Sequence, residues 1–114
     1  MSRVNIIINL RVPGIHCWKD CPYPDVDYLK HLHRHEFHIC AKKAVSHTDR
    51  DIEIIRFKRD MEQYFRNTFE WHGTAYMFGL MSCEQLAEQL TKHFNLAYCS
   101  VLEDGENGAE IITE

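Results

Sequence analysis

The period of the hydrophobic pattern changes along this chain, and this change constrains the fold more than any other sequence feature. The stretch "RVNIIINLRV" at 3–12 alternates apolar and polar residues, which is typical of a half-buried strand. A second strand is predicted from His33 to about Val45, which is rich in Phe, Ile and Val. After "TDRD" the apolar residues recur every three or four positions, which predicts one face of an amphipathic helix. That face consists of Ile54, Phe57, Met61, Tyr64 and Phe65.

A second helix and a final hairpin complete the predicted elements. Ser82 precedes "CEQLAEQLTKHF" and Gln85 follows three residues later, which is a capping-box pattern. The apolar stripe of this helix consists of Cys83, Leu86, Leu90 and Phe94. The segment "LAYCSVLEDGENGAEIIT" predicts two short strands around a turn rich in Gly, Asn and Asp. The order of elements predicts an α+β domain over residues 1–114, in which two helices cover one face of a four-stranded antiparallel sheet.

Three segments are predicted to depart from straight, regular elements. "PG" at 13–14 is expected to bend the first strand. The stretch "CWKDCPYPDVDYLK" contains two prolines and three aspartates, and we expect an irregular loop there. "EWHGTAY" is predicted to be the loop between the two helices.

The composition excludes several classes of protein. A chain of 114 residues that is 45% hydrophobic can form one domain with its own core. Its net charge is −4 and it has no long basic tract, which argues against nucleic-acid binding. No apolar run is long enough for a bilayer and no secretory signal is evident, so a cytoplasmic location is expected. In that compartment its five cysteines are not expected to form disulfides.

The segment "HLHRHEFHI" at 31–39 contains four histidines. His31, His33 and His35 alternate and would share one face of a strand, whereas His38 would point to the other face. Pairing of the first two strands would bring His16 close to His33 and His35. Three histidines with one open position are the ligand set of a catalytic zinc ion. The alternative is a solvated polar strand that is rich in imidazole.

Other candidate residues also have ordinary explanations. Glu84 lies in the first turn of a helix, where an acidic side chain stabilises the helix dipole. Glu103 lies at a strand end, where a surface charge is common. Cys17 and Cys21 lie in the loop near His16, where a reactive thiolate is conceivable. Their C-x3-C spacing has no partner pair, which argues against a zinc finger.

The ordered set of motifs resembles the family of 6-pyruvoyl-tetrahydropterin and 6-carboxy-tetrahydropterin synthases, which have the tunnelling fold (T-fold). In that family a first strand ends in a histidine and a paired-histidine motif opens the second strand, matched here by His16 and by "LHRHEF". The family's acidic residue at the start of its first helix corresponds to Glu53 in "EIIRFK". Its second helix opening matches "MSCE" with Glu84, and its final strand motif matches "VLED" with Glu103.

The resemblance implies a fold, a metal, a ligand and an assembly. It implies a ββααββ T-fold, with Zn²⁺ held by His16, His33 and His35. It implies that Glu103 anchors a pterin-like or purine-like ring, with Glu84 as a second ligand-binding residue. The implied activity is zinc-dependent carbon–oxygen lyase chemistry on a GTP-derived dihydropterin, in the pterin pathway or in the 7-deazaguanine pathway that leads to queuosine. The implied assembly is a barrel-forming homo-oligomer, such as a hexamer.

Two positions depart from the family pattern and leave alternatives open. Leu29 stands where the family has its catalytic cysteine, so Cys21 is the nearest candidate thiol. Trp71 precedes His72 where the family has aspartate, which leaves His72 as the other candidate catalytic residue. One hypothesis is a divergent enzyme, and the alternative is an inactive T-fold protein that binds zinc and a purine-like or pterin-like ligand. A third hypothesis is an oligomeric scaffold whose histidines are surface features.

Overall fold

The computed structural model describes residues 2–113, which form a single mixed sheet with helices packed against it. The strands are β1 (Val4–His16), β2 (His33–Val45), β3 (Trp71–His72), β4 (Ala75–Gly79), β5 (Tyr98–Glu103) and β6 (Asn107–Ile112). The helices are α1 (Ile54–Thr68), α2 (Cys83–Phe94) and a 3-10 helical segment at Pro24–Lys30. The strand order across the sheet is β3-β4-β1-β2-β5-β6.

The predicted four-stranded antiparallel sheet, and with it the ββααββ T-fold layout, is wrong. The sheet has six strands and is mixed, because β4 runs parallel to β1. The segment predicted to be a loop between the helices instead forms the β3–β4 hairpin. Gly73 lies in its turn with a φ of +70°, a conformation that glycine adopts without strain. Strands of two and five residues are too short to show a clear alternating pattern.

Pro13 and Gly14 lie within the first strand, and the bend expected at "PG" stays a prediction. β1 continues to His16, and Pro13 precedes Gly14, the first residue of β1 that pairs with β4. Gly14 is needed for close packing, since a Cβ atom there would lie 2.8 Å from a ring atom of Phe37. The small residue therefore lets the aromatic core reach the sheet at this point.

Both α-helices were predicted and both are present. α1 begins after Glu53, whose carboxylate accepts hydrogen bonds from the backbone N–H groups of Ile55 and Arg56. These bonds, chiefly that from Ile55, hold the pKa of Glu53 below its usual value. The capping box of α2 is confirmed, because Ser82 and Gln85 each accept a hydrogen bond from the other's backbone N–H. The segment predicted as an irregular loop contains the 3-10 helix.

The core lies between one face of the sheet and the two α-helices. On the sheet side the buried residues follow a two-residue period along three adjacent strands. They are Ile8, Leu10 and Val12 on β1, Phe37, Ile39 and Ala41 on β2, and Cys99 and Val101 on β5. The same alternation, continued past the apolar residues, directs His16, His35 and Glu103 to the core face at one end of the sheet.

Candidate metal centre

Strand pairing places four polar side chains together at the end of the apolar core. β1 and β2 are antiparallel, so His16 lies opposite His33 and Gly14 lies opposite His35. β5 lies on the other side of β2, with Glu103 opposite Phe37. Because Gly14 has no side chain, the space between His16 and the core remains open for the neighbouring rings. The register alone therefore groups the three imidazoles with one carboxylate.

These four residues can hold a metal ion. Each of His16, His33, His35 and Glu103 offers one ligand atom, and these atoms all lie within 4.8 Å of one another. Oε2 of Glu103 lies 2.9 Å from Nε2 of His16 and 3.7 Å from Nε2 of His35. Three imidazole nitrogens and a carboxylate oxygen form a donor set that suits divalent transition metals.

The second nitrogen of each ring already has a fixed partner. Nδ1 of His16 lies 2.9 Å from the carbonyl oxygen of Met81, and Nδ1 of His33 lies 2.8 Å from that of His31. Carbonyl oxygens only accept, so both nitrogens carry hydrogen. Nε2 of each of these two rings then has a free lone pair. Metal-bound histidines have the same arrangement, because a hydrogen bond from the other ring nitrogen fixes the tautomer and the ring orientation.

The Nε2 atoms provide the test of whether a metal fits. Nε2 of His33 and Nε2 of His35 are buried and have no hydrogen-bond partner among residues 2–113. Buried polar atoms without a partner are uncommon in proteins, because each loses its hydration without compensation. A cation bound by both nitrogens would satisfy them together. The residues present therefore fit a metal ion.

His16 gives a second indication of the same kind. Its Nδ1 donates to Met81, so its Nε2 lone pair faces the Glu103 carboxylate unless the ring binds a second proton. Burial, the largest influence, lowers the pKa of His16 although Met81 and Glu103 both favour protonation. A cation between Nε2 and the carboxylate would remove the repulsion between two acceptors.

The loop before α2 and the first residue of that helix also border the cluster. This loop supplies the Met81 carbonyl, and Cys83 begins the helix next to Glu103. Burial and the nearby carboxylate of Glu103, which accepts a hydrogen bond from the thiol, raise the pKa of Cys83 to about 12. Cys83 is therefore a protonated thiol at neutral pH rather than a thiolate nucleophile.

The other predicted site residues lie outside this four-residue cluster. Cys21 is buried in its loop, where Sγ lies 3.8 Å from the carbonyl oxygens of Tyr23 and Val26. His72 is exposed on β3, and its Nε2 lies 3.4 Å from Glu70. Glu84 is exposed in the first turn of α2. As the alternation predicted, His38 lies away from the cluster, 3.0 Å from Glu36.

Sequence reasoning missed several residues around the cluster. Asp104 was not considered as a partner of a histidine, yet its Oδ2 lies 2.7 Å from Nδ1 of His35. Its only signal in the sequence was its position beside Glu103. The Met81 carbonyl had no signal, because a backbone acceptor can be identified only from the path of the chain. Cys83 was correctly predicted to be buried, but its contact with Glu103 depends on how α2 packs.

Comparison with known proteins identifies the fold but not an activity. No family model and no curated protein matches this chain. The crystal structure of the uncharacterized protein WS1659 from Wolinella succinogenes is similar over 100% of both chains, with a TM-score of 0.60 and 13% sequence identity. Within residues 2–113, neither α-helix combines the length and apolar character that a membrane-spanning helix requires.

Proposed function

We propose that this protein is a zinc enzyme that acts on a GTP-derived dihydropterin. His16, His33 and His35 would hold the metal through Nε2, and Glu103 lies beside the same position. The observation that carries the metal proposal is that the buried Nε2 atoms of His33 and His35 have no hydrogen-bond partner within the described part of the chain. Zinc is proposed rather than another divalent ion, because a catalytic zinc ion usually has three protein ligands and a fourth position that water or substrate occupies.

The proposed substrate class rests on the ordered motifs of the sequence. A bound zinc ion supplies Lewis acidity to oxygens on the substrate. Glu103 is proposed to accept hydrogen bonds from the N–H groups of the pterin ring, a role that suits an ionised carboxylate. Glu84, His72 and Cys21 stay predictions as ligand-binding and catalytic residues. The cytoplasmic location is part of the same proposal.

Self-association also stays a prediction. The outermost strands of the described sheet are β3 and β6, and each has a strand partner on one side only. Unpaired strand edges favour pairing with a second chain. Exposed Ile112 adds apolar surface to the edge strand β6.

The first test of the proposed function is the metal content of the purified protein. The protein, prepared without chelators, is expected to contain about one zinc ion per chain, as one tetrahedral site requires. Elemental analysis after gel filtration measures this ratio. Dialysis against a chelator, followed by back-titration with zinc, should restore the same ratio. A protein that purifies without metal and binds none on titration would contradict the proposal.

A second candidate function is ligand binding without turnover. It is favoured by the position of Cys21, which is 3% exposed and lies against loop carbonyls rather than in the histidine cluster. It is also favoured by Leu29, which stands where the resembled family has its cysteine.

Release of triphosphate distinguishes the two candidate functions. The zinc-loaded enzyme is expected to release inorganic triphosphate from dihydroneopterin triphosphate, because loss of a proton from the adjacent carbon expels the leaving group. Ion chromatography measures the product, and calorimetry measures binding of the same compound. Binding without triphosphate release would favour the binding protein. Both measurements are repeated on the Glu103→Gln variant, which keeps the side-chain shape and loses the charge proposed to bind the ring.

A further inference from the structure

Asp104 has a backbone conformation that is unusual for a residue other than glycine. It begins the turn between β5 and β6 with a φ of +55°, in the left-handed region that aspartate and asparagine tolerate better than most residues. Along a regular strand, the side chains of Glu103 and Asp104 would point to opposite faces. The left-handed turn instead lets both carboxylates reach one ring. Oδ2 of Asp104 lies 2.7 Å from Nδ1 of His35, and Oε2 of Glu103 lies 3.7 Å from Nε2 of that ring.

Both carboxylate oxygens of Asp104 have a partner on β2. Oδ1 accepts a hydrogen bond from the backbone N–H of Glu36 at 2.9 Å, while Oδ2 faces the His35 ring. The backbone N–H of Asp104 in turn donates to the carbonyl of Glu36 at 2.8 Å. Three hydrogen bonds therefore attach the turn to β2 beside the histidine. Because the backbone N–H of Glu36 can only donate, Oδ1 must accept, and Oδ2 remains to accept from Nδ1 of His35.

We infer that Asp104 is the positioning residue that sets the tautomer of His35 and prepares its Nε2 atom for the metal. This inference rests on the proposed metal site. His16 and His33 donate from Nδ1 to backbone carbonyls, which no substitution at the acceptor residue removes. His35 alone among the three depends on a side chain for this bond. Its orientation can therefore be changed without altering the three proposed imidazole ligands or Glu103.

The effect of asparagine at this position follows from the count of donors and acceptors. Asparagine has one acceptor oxygen, whereas the Glu36 N–H and the Nδ1–H of His35 need two. If the asparagine oxygen keeps the hydrogen bond from the backbone N–H of Glu36, its NH₂ group faces Nδ1 of His35. Because that group only donates, Nδ1 must accept, and the ring is stabilised with its hydrogen on Nε2. That tautomer has no lone pair for a metal at Nε2. Asp104→Asn is therefore expected to change the tautomer while keeping the turn.

The test measures the His35 tautomer and zinc affinity in three variants. Long-range ¹⁵N–¹H spectra of the metal-free protein should show hydrogen on Nδ1 of His35 in the wild type and on Nε2 in Asp104→Asn. Competition with a chromophoric chelator should show zinc affinity reduced about 10–100-fold in Asp104→Asn and Asp104→Gly, as for other outer-shell partners. Glu106→Gln, on the same turn, is the control and should bind zinc like the wild type.

Asp104→Gly separates the carboxylate from the backbone conformation. Glycine adopts a positive φ without strain, so this variant should keep the turn and lose only the side-chain bonds. Its thermal unfolding in the metal-free state verifies that the fold is intact. Wild-type zinc affinity in both variants, or a wild-type His35 with hydrogen on Nε2, would overturn the inference. Failure of the wild type to bind zinc would overturn the proposed function, while the tautomer of His35 would still decide the role of Asp104.

Discussion

The His33→Ala protein is expected to bind zinc at least ~100-fold more weakly than the wild type, a loss larger than the one that outer-shell changes cause. The substitution removes one of the three proposed imidazole ligands, and Nε2 of His33 is one of two buried side-chain atoms without a partner in residues 2–113. Competition against a chelator of known affinity measures the change. His38→Ala is the matched control, because His38 lies on the same strand, away from the cluster and paired with Glu36.

Thermal unfolding gives an independent measure of the same loss. A ligand present at one hundred times its dissociation constant stabilises the folded state by about 2.7 kcal/mol. Zinc at this concentration should therefore raise the Tm of the wild type and of His38→Ala, and should raise that of His33→Ala much less. Stoichiometric zinc in purified His33→Ala, together with a normal rise in Tm, would exclude His33 as a ligand.

The Phe37→Ala protein is expected to lose about 3–5 kcal/mol of its free energy of unfolding, the usual cost of removing a buried phenylalanine ring. Phe37 is 1% exposed, and its ring packs edge-on against Phe78 at 5.2 Å between centroids. It also supports the site, with centroids 5.2 Å from His16 and 5.7 Å from His35. The cavity would open directly below these two rings. Urea denaturation measures the change from the midpoint and the slope.

Two further variants keep this prediction testable if Phe37→Ala does not fold. Phe37→Leu leaves a smaller cavity and should lose less stability than the alanine variant. Leu80→Ala is the control, because Leu80 is 67% exposed and such surface changes usually alter stability by less than about 0.5 kcal/mol. Equal midpoints for Phe37→Leu, Leu80→Ala and the wild type would show that the ring does not support the core.

Long periodic segments could be predicted from the sequence, and short ones could not. The apolar stripe of α1 and the capping box of α2 are both local sequence patterns. The side-chain hydrogen bonds that cap the two helices join residues no more than three positions apart. β3 and β4 have no comparable local signal. They form because the hairpin buries Ala75 and Phe78, residues whose burial depends on distant parts of the chain. The parallel pairing of β4 with β1 is likewise a consequence of tertiary packing.

The same distinction applies to the site. Alternation in "HLHRHEFHI" placed His33 and His35 on one face and His38 on the other, because side chains in a strand have a two-residue period. The meeting of His16 with that pair required only that β1 and β2 be antiparallel neighbours. The Met81 carbonyl and Asp104 were beyond such reasoning, since each acts through a turn or loop whose path is set by packing.

The sequence by itself determined where the two α-helices lie, most of the residues that face the core and which histidines share a strand face, because these properties follow from local periodicity. Ile54, which the spacing placed on the apolar face of α1, is instead 50% exposed. Only the tertiary structure decided the number and direction of the strands and the hydrogen-bond partners of the imidazoles. It also brought Glu103 and Asp104 to the two nitrogens of the His35 ring. Contacts between distant segments depend on the burial of the whole chain, and a single short segment does not encode them.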